Sequence, residues 1–93
     1  MIEDYVSAIN AYNQAIKLNP GNTEYLSYRG MAYSYIGKYK KALADFSEVI
    51  KLDSQNPYFY NNRGYLHSHY LYNYEKAIDD YTQSIKISPD ANT

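Results

Sequence analysis

The chain has 93 residues, a formal net charge of −1 at pH 7 and no cysteine. A charge this close to zero gives no field that would attract nucleic acid or an anionic membrane, so we predict neither as a partner. The lack of cysteine excludes disulfides and thiolate chemistry, and no apolar run approaches the roughly 18 residues that cross a bilayer.

The first two predicted helices are separated by a short break. Residues 4–18 carry apolar side chains at i, i+3, i+4 and i+7, which is typical of an amphipathic helix. Pro20 cannot continue this helix. Asn22 or Thr23 can cap a second helix by accepting a backbone N–H bond, and Gly37 ends that helix as a left-handed residue.

Three more helices follow with the same kind of boundaries. The third covers about residues 39–52, and Asn56 caps the fourth, with Pro57 at its first position. Asn73 can cap the fifth, and residues 90–93 are predicted to be frayed. The sequence thus predicts five helices and no strand, at about residues 4–18, 23–36, 39–52, 57–70 and 74–87.

These helices repeat one another. The middle unit has small or apolar residues that recur 34 residues downstream in its first half and 35 in its second half. The pairs are Gly30 and Gly64, Tyr33 and His67, Ala42 and Ala77, Phe46 and Tyr81, Ile50 and Ile85, and Leu52 and Ile87. A fixed period of this size indicates a solenoid, in which each unit buries its apolar face against its neighbours. Glycine within a helix is less stable than alanine, so its use at the same position in two repeats needs a reason. We expect the reason to be another helix backbone that comes close to each repeated glycine.

The pattern resembles the tetratricopeptide repeat, a helix–turn–helix unit of about 34 residues with an aromatic residue, a Leu-Gly pair, a tyrosine, and then alanine, phenylalanine and proline. The middle unit carries these positions as Leu26, Arg29-Gly30, Tyr33, Ala42 and Phe46, with Ser54 in place of proline. The last unit carries Tyr60, Arg63-Gly64, His67, Ala77, Tyr81 and Pro89, and the first carries only Ala8, Tyr12 and Pro20.

The resemblance implies an all-α fold, an α-α solenoid that forms a right-handed superhelix of two full repeats preceded by half a repeat. We expect one domain over residues 1–93. Its units are 1–22, 23–56, and 57–93, the last with a one-residue insertion and a frayed tail. The resemblance also implies a non-enzymatic scaffold that binds a peptide or helix of a partner protein in a concave groove. No nucleophile elbow or glycine-rich phosphate loop is present, so we predict no catalysis and no cofactor.

Helix geometry predicts which side chains face that groove. On the first helix of each full repeat they form a polar, aromatic and uncharged wall. The predicted groove residues are Ser27, Tyr28, Met31, Ser34, Tyr35, Asn61, Asn62, Tyr65, Ser68 and His69. Such a mixture suits an adaptable contact surface, although the tyrosines could instead pack on one another. Family members that hold acidic chaperone tails use a cationic clamp, which is absent from this wall, so we expect a protein or peptide ligand that is not an acidic chaperone tail.

The remaining polar residues suggest no further chemistry. His67 and His69 are two apart on a helix and cannot face one ion, so no metal site is predicted. We expect His67 to be a packed neutral imidazole, Asp80 to lie on an exposed helix, and Asp45 to face solvent near the lysines at 38–41. The acidic N-terminus differs from a signal peptide, and we expect an intracellular, cytoplasmic location rather than secretion.

The alternative function is self-assembly through the terminal helices. The first helix has the pattern of the second helix of a pair, and the last has a broad apolar stripe that repeat proteins usually cover with a capping helix. Large apolar patches seldom stay exposed, so we expect a closed homodimer. The predicted contact residues are Tyr5, Val6, Ile9, Tyr74, Ile78, Tyr81 and Ile85.

Overall fold

A computed structural model describes residues 1–92. It contains α1 (Ile2–Leu18), α2 (Thr23–Tyr35), α3 (Tyr39–Leu52), α4 (Pro57–His69) and α5 (Tyr74–Ile87), followed by a 3₁₀ turn (Pro89–Asn92). The predicted five-helix, all-α architecture is confirmed, with no strand among the described residues. Part of the tail predicted to be frayed therefore forms the 3₁₀ turn, and Thr93 lies outside the described residues.

The helix boundaries follow local side-chain chemistry. Asn22 Oδ1 accepts a hydrogen bond from Tyr25 N at 3.1 Å, and Asn56 and Asn73 cap α4 and α5 in the same way. Each cap satisfies a backbone N–H that has no partner within its own helix. Gly37 has φ of +84°, the left-handed conformation expected at the end of α2.

The α4–α5 turn contains one residue more than the α2–α3 turn, and its backbone shows the consequence. Tyr72 has φ of +54°, which is uncommon for a residue other than glycine. The extra residue thus places a non-glycine residue in the left-handed region, where the preceding repeat uses Gly37.

Successive helices pack in order, each against the next, as in a helical solenoid. One core cluster joins Leu26 of α2, Val49 and Ile50 of α3, and Phe59 of α4. A second joins Ala42 and Phe46 of α3 to Leu66 of α4. Both clusters span consecutive repeats, so the repeats stabilise each other by burying apolar surface between them.

The repeated glycines contact aromatic rings rather than helix backbone, which corrects the expectation from the sequence. A Cβ atom on Gly30 would lie 2.7 Å from Cε1 of Phe46, and one on Gly64 would lie 3.0 Å from Cε1 of Tyr81. The absence of a side chain lets the ring of the following helix lie directly on the helix surface.

Each full repeat also contains a bidentate ion pair between an arginine and an aspartate. Arg29 donates to both carboxylate oxygens of Asp45, at 2.9 and 2.6 Å, and Arg63 donates to Asp80 at 2.9 and 2.8 Å. Both aspartates are buried, which corrects the prediction that they face solvent. They are buried because the arginine of the same repeat satisfies their charge.

Each arginine makes a further bond to the preceding unit. Arg29 Nη1 donates to Asn13 Oδ1 at 2.9 Å, and Arg63 Nη1 donates to Ser47 Oγ at 3.3 Å. The hydrogen bond to aspartate raises the pKa of both guanidinium groups. Each arginine therefore links three consecutive helices. Arg29 links α2 to α3 and α1, and Arg63 links α4 to α5 and α3.

Candidate functional site

One face of α2 and α4 carries the side chains that the sequence places in a groove. We call this face the α2–α4 wall. It comprises Tyr28, Met31, Ser34, Tyr35, Asn62, Tyr65, Ser68 and His69. The rings of Tyr28, Tyr35 and Tyr65 are 48 %, 55 % and 49 % exposed. Half-exposed tyrosine rings offer an apolar surface and a polar tip to a ligand.

A pocket of about 100 Å³ lies in the middle of the wall, between the two repeats. Its buried lining includes Phe46 and Leu66, and Tyr35 and Tyr65 are its exposed rings. The complete lining is Met31, Ser34, Tyr35, Phe46, Asn62, Tyr65, Leu66 and Tyr70. None of these side chains is charged, so the pocket suits an apolar group.

The tyrosines of the wall contact other rings and are exposed as well. Tyr28 packs against Tyr12 of α1 with ring centroids 6.0 Å apart, and Tyr35 packs against Tyr5 at 4.8 Å. Tyr65 stacks on His69 at 3.8 Å. Each ring is thus held by a neighbour while about half of its surface remains open. Such rings lose little conformational entropy when a ligand binds.

Polar side chains on the wall differ in their freedom to bind a ligand. Ser34 Oγ donates to the carbonyl of Gly30 at 3.1 Å, and Ser68 Oγ lies 2.7 Å from His69 Nδ1. The side-chain amide of Asn62 has no hydrogen-bond partner among residues 1–92. Asn62 therefore keeps both a donor and an acceptor for a peptide backbone.

Two predicted groove residues are less accessible, and four contributors were missed. Ser27 is buried, and the side-chain oxygen Oδ1 of Asn61 is buried. The contributors that were not predicted from the sequence are Tyr12, Phe46, Leu66 and Tyr70. Tyr12, Phe46 and Leu66 fit core or repeat-motif positions, so periodicity alone assigns them to packing. Tyr70 was missed because it follows the end of α4.

The residues predicted for self-association are divided between exposed and enclosed positions. Val6, Tyr74, Ile78 and Ile85 are exposed. Ile9 is buried, Tyr5 stacks on Tyr35, and Tyr81 lies against Gly64. Those last three side chains already have intramolecular contacts.

The histidines occupy different environments. His67 is 5 % exposed, and burial lowers its pKa, as a packed neutral imidazole requires. His69 is exposed on the wall. In the part of the chain that the structure describes, no three histidine, aspartate or glutamate side chains are placed to share a metal ion. No helix there is both long and apolar enough to cross a membrane.

Comparison with known families gives three matches that together cover residues 11–91. One is a TPR repeat at residues 30–68, and two are tetratricopeptide repeats at residues 11–44 and 57–91.

Two curated relatives align with nearly the whole chain. The small glutamine-rich tetratricopeptide repeat-containing protein 2 of Mycosarcoma maydis is 33 % identical over 94 % of this chain and 24 % of its own length. Serine/threonine-protein phosphatase 5 of Mus musculus is 37 % identical over 94 % of this chain and 17 % of its own. The chain therefore spans a quarter or less of these two relatives.

Solved structures show the same fold. The Arabidopsis OM64 TPR domain superimposes with a TM-score of 0.86 and 27 % identity, covering 95 % of this chain and 72 % of that one. The first TPR of Spaghetti (RPAP3), bound to the HSP90 peptide SRMEEVD, gives 0.85 and 25 %, covering 94 % and 68 %. The second TPR of the same protein, with the same peptide, gives 0.82 and 27 %, covering 90 % and 77 %.

The prediction that excluded an acidic chaperone tail is wrong. Both Spaghetti domains hold a peptide that ends in two glutamates, a valine and an aspartate. The prediction assumed that such a peptide needs cations on the wall. Uncharged amide and hydroxyl groups also donate to carboxylates, and the arginine, methionine and valine of the peptide offer contacts that need no cation.

Proposed function

Because the chain belongs to the tetratricopeptide repeat family, we propose that it is a non-enzymatic interaction module that binds an extended peptide of a partner protein along the α2–α4 wall. The observation that carries this proposal is the uncharged pocket between Tyr35 and Tyr65, with the unpartnered amide of Asn62 beside it. We also propose that residues 1–93 act as one domain, with repeat units at 1–22, 23–56 and 57–93.

The size of the pocket suggests what part of a peptide enters it. A dry cavity of about 150 Å³ holds benzene, so about 100 Å³ corresponds to roughly four heavy atoms. A leucine or methionine side chain has that size. The half-exposed rings would cover the neighbouring peptide residues, and the Asn62 amide would bond one backbone group.

The peptide SRMEEVD is the natural first probe, because two structures similar to this chain hold it. It supplies one methionine and one valine for the pocket, and carboxylates that the Asn62 amide and the tyrosine hydroxyls can reach.

Fluorescence anisotropy with labelled SRMEEVD tests the proposal. Tyr65→Ala removes one ring of the pocket, and we expect a loss of about 1–2 kcal/mol, or roughly 5- to 30-fold in Kd. Asn62→Ala should weaken binding roughly 3- to 10-fold by removing one hydrogen bond. Tyr72→Ala is the matched control, because Tyr72 is exposed in the α4–α5 turn and lies off the wall. Equal affinities for all three variants and the unaltered chain would exclude the wall as the site.

A second candidate function is self-association through the outer face of α5. Tyr74, Ile78 and Ile85 are 61 %, 63 % and 51 % exposed, and exposed apolar stripes often mark protein interfaces. Light scattering after size-exclusion chromatography distinguishes the two functions. A dimer that Ile85→Lys converts to monomer would favour self-association, and a monomer at high concentration would exclude it.

A further inference from the structure

One residue of the otherwise uncharged α2–α4 wall can become a cation. His69 is exposed and stacks on Tyr65, whose ring lines the pocket, with the two ring centroids 3.8 Å apart and the ring planes 12° from parallel. An imidazole ordinarily gains a proton between about pH 8 and 5, and no other type of side chain on the wall changes charge in that range. His69 therefore decides whether the wall carries a charge beside the pocket.

The hydrogen bonds of His69 determine which ring nitrogen holds the hydrogen in the neutral form. Nδ1 lies 3.2 Å from the carbonyl oxygen of Tyr65 and 2.7 Å from Ser68 Oγ. A carbonyl oxygen only accepts, so Nδ1 is the donor. Ser68 Oγ can accept from Nδ1 as well, because the hydroxyl donates its own hydrogen to the same carbonyl at 3.3 Å. Both bonds of the ring use Nδ1, so Nε2 remains open on an exposed side chain.

The open nitrogen has opposite properties in the two forms of the ring. In neutral His69, Nε2 presents a lone pair and is an acceptor, so a carboxylate, which also only accepts, gains no hydrogen bond from it. In protonated His69, Nε2 presents an N–H group with a positive charge, which forms a charge-assisted hydrogen bond with a carboxylate. One proton at one atom thus changes which peptides the wall favours.

We propose that His69 makes the wall selective for a peptide with a carboxylate next to the apolar side chain in the pocket, and that it does so in its protonated form. This inference rests on the proposed binding of a peptide along the α2–α4 wall. The peptide SRMEEVD has the required pattern, because its methionine and its valine each have an acidic neighbour. Selectivity for acidic peptides therefore increases as the pH falls.

The phenols around His69 stay neutral where the imidazole titrates. Tyr39 at the start of α3 stacks on Tyr70 with ring centroids 4.9 Å apart, so the first turn of α3 lies beside the end of α4. Burial raises the pKa of Tyr70, and Tyr65, Tyr39 and Tyr35 add to the shift. On the side of α5, the hydroxyl of Tyr81 lies 3.4 Å from Ser68 Oγ. These neighbours give the wall no charge of their own.

The charged residues near this end of α4 carry lysine and glutamate side chains, which keep one charge between about pH 5.5 and 7.5. They lie at the starts of α3 and α5 and are Lys38, Lys40, Lys41, Glu75 and Lys76. The other group that titrates in this range is His67, which is buried on the opposite side of α4. Any effect of His67 on the fold acts equally on all peptides that bind the wall.

Fluorescence anisotropy with two labelled peptides tests the inference. One is SRMEEVD, and the other is SRMQQVN with an amidated C-terminus, which has the same length and no carboxylate. We compare the ratio of their Kd values on the unaltered chain at about pH 7.5 and 5.5, where the peptide carboxylates stay ionised. We expect the preference for the acidic peptide to rise roughly two- to fivefold at the lower pH, the scale of one exposed ion pair.

Variants assign this change to one imidazole. His69→Gln has no titrating charge and should give the same ratio at both pH values. His69→Lys carries its charge throughout and should show the higher preference at both. His67→Gln is the matched control and should keep the rise of the unaltered chain. His69 is exposed, so its substitutions leave the core intact.

The possible failures are distinguishable. A ratio that stays constant with pH on the unaltered chain, or that still rises in His69→Gln, would overturn the role of His69 and leave peptide binding along the wall intact. Failure of both peptides to bind at either pH would refute the proposed function and this inference together.

Discussion

Gly30 is the position at which one added methyl group tests the packing of the middle repeat. Its Cβ would lie 2.7 Å from Cε1 and 3.0 Å from Cδ1 of Phe46, whereas carbon atoms prefer about 3.5–4.0 Å. Phe46 is 3 % exposed, so its ring has little room to move. Alanine gains up to about 1 kcal/mol in helix propensity, and overpacking costs about 1–3 kcal/mol. We expect Gly30→Ala to lower the free energy of unfolding by about 1 kcal/mol, or Tm by about 4–8 °C.

The last repeat provides the matched control. A Cβ on Gly64 would lie 3.0 and 3.1 Å from Tyr81, whose half-buried ring can move more easily. Gly64→Ala should therefore change stability by less than about 0.5 kcal/mol. A double-mutant cycle of Gly30→Ala with Phe46→Leu, measured by urea denaturation, should show coupling, because the smaller side chain relieves the contact. A Gly30→Ala variant as stable as the unaltered chain, or simple additivity in the cycle, would refute this reasoning.

Two further predictions concern the polar core of the last repeat. Asp80→Asn weakens the bonds from Arg63, and we expect a loss of about 2–3 kcal/mol in chemical denaturation; an unchanged midpoint would mean that the pair is not stabilising. Burial lowers the pKa of His67, with Asp80 opposing the shift and Arg63 and Lys76 adding to it. The unfolded chain then binds more protons than the native one below about pH 6.5, so stability falls as the pH drops through this value and is constant above it. The charged groups that line the pocket between α3, α4 and α5 beside His67 are Arg63, Lys76, Asp79 and Asp80. Urea denaturation at about pH 7.5 and 5.5 should show a larger loss for the unaltered chain than for His67→Gln, and equal losses would contradict the assignment.

The sequence predicted the helices well because their signals are local. Asn56 and Asn73 were predicted as caps, and Asn22 was one of two candidates with Thr23; all three asparagines accept a backbone N–H bond. The period of 34 residues indicated the solenoid because every repeat must bury the same face.

Contacts between helices were harder to predict. Asp45 and Asp80 were expected in solvent because carboxylates are rarely buried, and only the arginine that reaches each of them explains the burial. The same holds for the ring contacts at Gly30 and for the part of Tyr70 in the wall pocket. Both contacts depend on which side chain of a neighbouring segment packs at that position. The spacing of residues along one helix does not give this information.

The partner was the least predictable feature. The exclusion of an acidic tail rested on the charge of one wall, whereas affinity also depends on apolar pockets and uncharged donors. The pocket between the repeats is assembled from α2, α3 and α4, and its shape is not readable from any one of them.

A peptide SRMEEVD carrying a nitroxide label at its N-terminus tests the central claim most directly. The label broadens NMR signals of nearby protein atoms, so it reports where the peptide lies. We predict loss of intensity for the Met31 methyl group and the Asn62 side-chain amide, with the signals of Ile78 and Ile85 on α5 unaffected. Broadening on the outer face of α5, or none at saturating peptide, would contradict binding along the α2–α4 wall.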